Sequence, residues 1–174
     1  MANKKIILET DWFLVESEEL YSKALQGKPF YRFVIPDSVM ILALTEDQKI
    51  LLIKQYRHSV ESFTLELPSG MIDNGETPQK AAERELYEET GYICKNLYLL
   101  GEGTPWIDRA KSRAFLFYGQ GAVKDGGFKS EENIKVIPVS VEKLKELSVS
   151  GRFKQMQSFA LFLLAKWKFG LEIC

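Results

Sequence analysis

Three glutamates near the middle of the chain have a spacing that suits the binding of a divalent cation. Glu88 and Glu89 follow Glu85 by three and four residues, so a helix would place all three carboxylates on one face. Like charges at this spacing cost a helix roughly 0.2–0.5 kcal/mol per pair. Magnesium would relieve the repulsion, because it prefers oxygen ligands and binds carboxylates together with substrate phosphates. The alternative is a solvated acidic face that Lys80 and Arg84 partly balance.

The residues around these glutamates predict a helix with sharp ends. Thr77 suits the N-cap and Pro78 suits the first helical position. Gly91 suits the left-handed residue that ends a helix, and the 13 residues between Thr77 and Gly91 are mostly good helix formers. Gly70 and Gly75 bracket a tight connection before this helix.

The stretch from Gly70 to Tyr92 resembles the Nudix box. The box reads Gly, five residues, Glu, seven residues, Arg-Glu, a bulky apolar residue, one residue, Glu-Glu, one residue, Gly and a last bulky apolar residue. Tyr92 stands where an aliphatic residue is usual, and a tyrosine can still pack at that position. The positions that match are Gly70, Glu76, Arg84, Glu85, Leu86, Glu88, Glu89 and Gly91.

The resemblance implies a fold, a cofactor and a ligand set. The fold would be α+β, with a mixed β-sheet sandwiched between α-helices as an α/β/α sandwich, over roughly residues 30–167. Mg²⁺ would be the cofactor, with Mn²⁺ able to substitute. Glu76 and Arg84 would orient the helix, and Arg84 and Glu88 would belong to the catalytic group. The implied metal ligands are the backbone carbonyl of Ser69 and the carboxylates of Glu85, Glu88, Glu89 and Glu132.

A loop far beyond the box is the second catalytic segment that the resemblance implies. Glycines at 126 and 127 precede two acids and then Ile134. Glu132 fits a distal metal ligand and Glu131 fits a general base. Ser130 stands where some relatives have another acid, so the identity of the base stays open. The alternative is that both acids are solvated loop charges.

The residues upstream of the box resemble the ADP-ribose and ADP-sugar pyrophosphatase branch. A strand with the sequence Lys-Gln-Tyr-Arg ends at Arg57, and Glu-Leu-Pro-Ser-Gly runs from Glu66 into the box. Arg57 would bind the diphosphate, because a guanidinium can hold two phosphate oxygens at once. An exposed cation at the end of a strand is the alternative for Arg57. Glu66 would either support the metal ligands or point outward from its strand.

The segment after the box carries a marker of the same branch and a departure from it. Pro105 lies close to a proline that marks ADP-ribose hydrolases, but Trp106 stands where glycine is common. The indole would reshape the pocket around the distal sugar. It would either stack on a base or sugar, or fill the core.

The remaining substrate contacts implied by the branch come from aromatic residues near the N-terminus. Trp12, Phe30 and Tyr31 are candidates for an adenine platform borrowed from a partner subunit, which implies a homodimer. Packing in the core or in a dimer is the alternative for each ring. The single histidine, His58, suits a structural or surface role, and Cys94 suits packing.

The elements that position these residues are strands mixed with helices in one domain, 1–174. N-terminal strands in roughly residues 4–27 are expected to contribute to dimerisation, and Glu16 to Gly27 reads as a polar connection. Pro36 separates two strands within 30–45. Further strands are predicted at 50–56, 63–67, 96–101, 113–118 and 134–139, and helices at 141–147 and 155–169.

Composition narrows the class of protein. A hydrophobic fraction of 45% and a charged fraction of 27% are typical of globular domains. The net charge of −1 gives no basic field for nucleic acid. Two cysteines favour the cytoplasm over a disulfide scaffold. No run approaches the ~20 apolar residues that span a bilayer, so no membrane partner is expected.

The function predicted from these features is metal-dependent cleavage of the diphosphate of ADP-ribose or a related nucleoside diphosphate sugar. The products would be a nucleoside monophosphate and a sugar phosphate. A second reading is a Nudix hydrolase of GDP-mannose, an oxidised nucleoside triphosphate or a dinucleoside polyphosphate. A third is a nucleotide-binding Nudix module without catalysis, which the intact Arg84, Glu85, Glu88 and Glu89 set disfavours.

Overall fold

The computed structural model describes residues 4–20, 27–128 and 133–173. Glu131 and Glu132 lie outside these ranges. The helices are α1 (Pro78–Thr90), α2 (Val141–Val149) and α3 (Met156–Phe169). The strands are β1 (Lys4–Glu9), β2 (Leu14–Glu18), β3 (Phe30–Val34), β4 (Ser38–Thr45), β5 (Ile50–Arg57), β6 (Ser62–Glu66), β7 (Ser69–Met71), β8 (Tyr92–Gly103), β9 (Ala110–Lys111), β10 (Ala114–Lys124) and β11 (Lys135–Val139).

The strands form two sheets. The larger sheet has seven strands, in the order β11-β5-β4-β10-β8, with β6 paired to β5 and β7 paired to β4. It is mixed, because β10 runs parallel to β4 and antiparallel to β8. The N-terminal strands form a four-stranded sheet with β9, in the order β1-β2-β3-β9.

The larger sheet buries both of its faces under helices. Alternate residues of β4 point to opposite faces, as the period of a strand requires. Leu42 and Leu44 belong to a cluster with α2 and α3, whereas Ile41 and Ala43 belong to a second cluster with α1. The prediction of an α+β fold with a mixed sheet between helices is therefore confirmed.

Helix α1 has the ends that the sequence predicts. The hydroxyl of Thr77 accepts a hydrogen bond from the Lys80 amide at 3.3 Å, and Pro78 occupies the first turn. Gly91 ends the helix with a φ of 70°, a left-handed conformation that disfavours a side chain. Ala81, Ala82, Leu86 and Thr90 are buried along one side of the helix.

The structure extends several elements beyond the predicted limits. Strands β8 and β10 pair antiparallel from Ala114 opposite Gly103 to Lys124 opposite Tyr92, so each is longer than its local pattern suggests. Glu16 to Glu18 belong to β2 and not to a connection, because they pair with β3. In the described ranges, no helix combines the length and apolar character needed to cross a membrane.

Candidate active site

The start of the site is a close approach between β7 and α1. A Cβ atom at Gly70 would lie 2.0 Å from Cδ of Glu85. Any side chain at position 70 would therefore displace the Glu85 carboxylate. The match of Gly70 to the Nudix box has a direct steric reason, since glycine lets this carboxylate lie against the β7 backbone.

Arg84 is the centre of the hydrogen-bond network on α1. Its Nε and Nη2 atoms donate to both oxygens of Glu76, at 3.1 and 2.9 Å. Nη1 donates to Glu85 at 2.7 Å and to Glu88 at 3.1 Å, and Nη2 also donates to the Met71 carbonyl at 2.9 Å. Hydrogen bonding, first to Glu76, raises the pKa of Arg84. This arginine balances the acids and ties the helix to the preceding loop.

Glu89 is the most strongly perturbed acid of the site. Its Oε2 accepts a hydrogen bond from the backbone amide of Ser69 at 2.8 Å. Burial raises its pKa to about 8, and the charges of Glu85 and Glu66 act in the same direction. The Ser69 bond and the charge of Arg57 only partly oppose this. The site therefore has an excess of negative charge around a shielded carboxylate.

The donor chemistry of these acids suits a hard cation, although they are not yet gathered around one point. Glu85 is buried, which raises its pKa against the effect of Arg84, and Glu88 is half-exposed. Among the described residues, no three acidic, histidine or cysteine side chains form a group that could hold a metal ion. The reason is that Arg84 engages Glu85 and Glu88 while the Ser69 amide holds Glu89.

Arg57 and Glu66 form a second charged pair, close to Glu89. Arg57 donates from Nε and Nη2 to the two oxygens of Glu66 at 2.9 and 2.7 Å. Burial alone would raise the pKa of Glu66, but bonds from Arg57, Thr64 and Gln55 lower it overall. The Glu66 bond also raises the pKa of Arg57. Glu66 thus points inward and orients the arginine, and it does not face solvent as the alternative had it.

A contact that sequence reasoning missed joins α1 to the segment before the distal acids. The Tyr87 hydroxyl donates to Asp125 at 2.8 Å, and the Asp125 amide donates to the Gly91 carbonyl at 2.8 Å. The ring of Phe128 lies 5.5 Å from the ring of Tyr87. The partners are 38 residues apart in the chain, and no local pattern connects residues at that separation.

Pro105 and Trp106 lie in a turn between β8 and β9, against the four-stranded sheet. The indole of Trp106 stacks on Phe33 with ring centroids 5.5 Å apart, and it is 49% exposed. The Trp106 carbonyl accepts from the Ala110 amide at 2.8 Å, which closes the turn. The exposure shows that Trp106 does not fill the core, so one of the two alternatives for it is wrong.

The aromatic residues near the N-terminus lie on the smaller sheet, apart from the acids of α1. Trp12 is 69% exposed in the turn between β1 and β2, and Tyr31 is 48% exposed on β3. Phe30 is partly covered by Arg109, whose guanidinium carbon lies 4.7 Å from the ring centroid. Within this chain the structure does not bring Trp12, Phe30 and Tyr31 together with Glu85 and Glu89, which lie on α1 beside the larger sheet.

The last two residues singled out by sequence have structural surroundings. His58 follows β5 in a short 3₁₀ turn and packs edge-on against Tyr56, with centroids 5.1 Å apart. The thiol of Cys94 fills the space beside Gly119, where a Cβ atom would lie 2.4 Å from Sγ. Burial raises the pKa of Cys94 to about 12. Both observations agree with the packing roles predicted for these residues.

Comparison with known proteins places this geometry in a family. The sequence profile described as the NUDIX domain matches residues 34–159. That range includes α1, the pair Arg57–Glu66 and the Trp106 turn, and it leaves out β1 and β2.

Individual relatives give more specific likenesses. The chain is 36% identical over 99 residues to a Bacillus subtilis (strain 168) protein named ADP-ribose pyrophosphatase, covering 54% of each chain. It is 33% identical over 102 residues to ADP compounds hydrolase NudE of Escherichia coli (strain K12), covering 56% of this chain and 53% of the relative. The chain thus spans about half the length of these curated relatives.

The fold also matches a solved structure over its whole length. A crystal structure titled as that of an ADP compounds hydrolase superposes with a TM-score of 0.81. The match covers 100% of this chain and 96% of the other, at 23% sequence identity. At that identity the likeness shows the common fold alone.

Proposed function

The chain belongs to the NUDIX family, and from this premise we propose that it is a magnesium-dependent pyrophosphohydrolase. Its substrates would be ADP-ribose or related nucleoside diphosphate sugars, and its products a nucleoside monophosphate and a sugar phosphate. The observation that carries the proposal is the set of acids on α1, held by Arg84 next to the Arg57–Glu66 pair. The names of the Bacillus subtilis and Escherichia coli relatives support the choice of substrate class.

The chain's own oxygen atoms suit the metal. Glu85, Glu88, Glu89 and the Ser69 carbonyl would hold Mg²⁺, with Glu132 as the distal ligand. Bound metal supplies neutralisation of the phosphate charge and a more acidic water. Because Glu85 and Glu88 are bonded to Arg84, metal binding requires them to turn from the guanidinium towards the cation.

Arg57 would bind the diphosphate and Glu66 would position it. Two of the guanidinium donors are used by Glu66, which fixes the plane of the group and leaves Nη1 to reach a phosphate oxygen. A preorganised guanidinium loses less conformational entropy when it binds its anion. Glu131 is proposed as the group that accepts the proton of the attacking water, and Arg84 as the residue that positions Glu85 and Glu88.

The base and sugar ends of the substrate would meet the smaller sheet. Trp12, Phe30 and Tyr31 are proposed to reach the active site of a partner subunit, in a cytoplasmic homodimer. The six residues of β1 are all exposed, including the apolar side chains Ile6 and Leu8. Pro105 and Trp106 would border the distal sugar, and the exposed Trp106 ring favours a broad preference among nucleotide sugars.

The test is to incubate the protein with magnesium and a panel of nucleotides and to identify the products. AMP and ribose 5-phosphate formed from ADP-ribose, and abolished by excess EDTA, are the expected result. Pyrophosphate released from a nucleoside triphosphate, with ADP-ribose left intact, would support the second substrate class. Absence of turnover on every compound, with nucleotide binding retained, would indicate a binding module.

A further inference from the structure

Strand β5 presents a second set of side chains on the sheet face opposite the proposed active site. Gln55 and Arg57 point towards Glu66, so the alternate residues Lys54 and Tyr56 point the other way. Pairing with β6 places Lys54 opposite Leu65, and Leu65 packs on the core cluster of α2 and α3. This set is therefore separated from the acids of α1 by the sheet.

A cavity of about 500 Å³ opens between these side chains and the start of β11. Its volume lies within the range of small-molecule sites, about 300–1,000 Å³. The residues that line it supply positive charge, aromatic rings and an amide. They include Lys54, Tyr56, His58, Phe63, Asn133 and Lys135.

The positive charge of the cavity lacks a counterion. Lys54 and Lys135 lie directly opposite each other on paired strands, where like charges destabilise a sheet. Within the described ranges, neither ammonium makes an ion pair with a carboxylate; Lys54 Nζ lies 5.0 Å above the ring of Phe63 instead. A dianionic phosphate between the two ammonium groups would remove the repulsion.

The aromatic rings of the cavity leave faces open to a flat ligand. Phe63 is 64% exposed and Tyr56 is 43% exposed, an unusual pair of neighbours on a sheet surface. Their rings meet edge to face with centroids 5.5 Å apart, and His58 packs against the other side of Tyr56. This interlocking holds the rings in place, so a ligand base would stack without ordering them first.

We propose that the cavity binds an aromatic phosphate of the size of a nucleoside monophosphate, at a site distinct from the proposed active site. The phosphate lies between Lys54 and Lys135, the base stacks on Phe63, and Asn133 hydrogen-bonds the edge of the base. Binding at this site does not require magnesium, and it does not depend on the hydrolytic function.

AMP is the probe, and nuclear magnetic resonance of the full ¹⁵N-labelled chain in excess EDTA is the measurement. AMP titrated to about 10 mM is expected to shift the amide signals of Lys54, Tyr56, Phe63 and Lys135, since even millimolar binding is then detected. The double variant Lys54→Ala/Lys135→Ala should weaken this response at least about tenfold, the loss of one charged hydrogen bond. Phe63→Ala should weaken it independently of charge.

A matched variant and two comparisons decide whether the response belongs to the cavity. Lys95→Ala/Lys124→Ala removes the same charge from exposed positions on β8 and β10, and it should leave the response unchanged. Adenosine without phosphate should bind much more weakly than AMP. An equal response to adenosine, or an unchanged response in the Lys54/Lys135 variant, overturns the proposal.

Two further outcomes have defined meanings. If the same amide signals move on dilution of the protein without AMP, the face is a contact between copies of the chain and the proposal fails. ADP-ribose turnover, measured on the same samples, should stay within about twofold in the Lys54/Lys135 variant, as for other surface changes. Turnover absent in the wild-type chain would refute the hydrolytic function while leaving the AMP response to be judged separately.

Discussion

Among single residues, Arg84 explains how three acids can share one helix without a bound cation. It donates to Glu76, Glu85 and Glu88 at distances from 2.7 to 3.1 Å. The guanidinium thus replaces part of the charge that a metal would bring, and Glu89 is left to the Ser69 amide. The helix can fold first and exchange partners when a cation arrives.

Glu89→Gln should separate catalysis from stability. The amide oxygen of glutamine can still accept the Ser69 hydrogen bond, while the negative charge that repels Glu85 and Glu66 is removed. We expect the metal-free variant to have a free energy of unfolding equal to or above that of the wild type, measured in urea. Turnover of ADP-ribose should fall by about 100-fold or more, because a metal ligand is lost.

Glu83→Gln is the matched control, since it makes the same substitution on an exposed turn of the same helix. Its carboxylate accepts only a bond from Gln79 at 3.0 Å. Its turnover should remain within about twofold of the wild type. Wild-type turnover in Glu89→Gln would remove Glu89 from the ligand set, even if the fold were intact.

Arg57→Lys should weaken substrate binding more than it slows the reaction. Lysine keeps the charge but cannot donate to Glu66 in two parallel bonds and to a phosphate at the same time. The loss of one charged hydrogen bond is about 1.5–3 kcal/mol, so KM for ADP-ribose should rise roughly 10- to 100-fold. Steady-state kinetics measure this, with Arg152→Lys as a control. A change confined to kcat would contradict the binding role.

Sequence reasoning located the acids and Arg84 because their spacing is local and their chemistry is visible in residue types. The predicted contact between Arg84 and Glu88, one turn apart, is present at 3.1 Å. The orientation of Glu66 could not be decided from its strand alone, since it depends on the pairing of β5 with β6. The roles of Glu131 and Glu132 remain predictions, because they lie outside the described residues.

At the level of elements, α1 was predicted to the residue, whereas short strands were missed. The ends of α1 are set by Thr77, Pro78 and Gly91, which act within one turn. Strand β7 has three residues and β9 has two, and each exists only because another strand lies beside it. Such pairing is a tertiary event that no short window of sequence contains.

Gly91→Ala tests the junction between α1 and the β10–β11 connection. Gly91 has a φ of 70°, and a Cβ atom there would lie 2.3 Å from the ring of Phe128. We expect a loss of about 1–3 kcal/mol in the free energy of unfolding, from backbone strain and displacement of the ring. Gly126→Ala, which has open space and no positive φ, should change it by less than about 0.5 kcal/mol. Equal effects would show that the Phe128 contact is unimportant.

For the whole molecule, the prediction concerns assembly. The four-stranded sheet ends at β1, whose Ile6 and Leu8 are 59% and 49% exposed. Light scattering should give twice the 19.9 kDa chain mass for the wild type. Ile6→Glu/Leu8→Glu should give a monomer, because a buried carboxylate without a partner is costly. Val149→Glu, at a 91% exposed position on α2, should remain a dimer. A monomeric wild type would contradict the homodimer.

The alternation along β5 has a consequence for which changes in length the gene can tolerate. Gln55 and Arg57 face one side of the sheet, and Lys54 and Tyr56 face the other. Adding or deleting one codon within the strand would exchange the two faces from that point onward. The guanidinium would then leave Glu66 and a lysine would leave the cavity in a single event. Length variation among descendants of this gene should therefore collect in the turn at 46–49 and spare β5 itself.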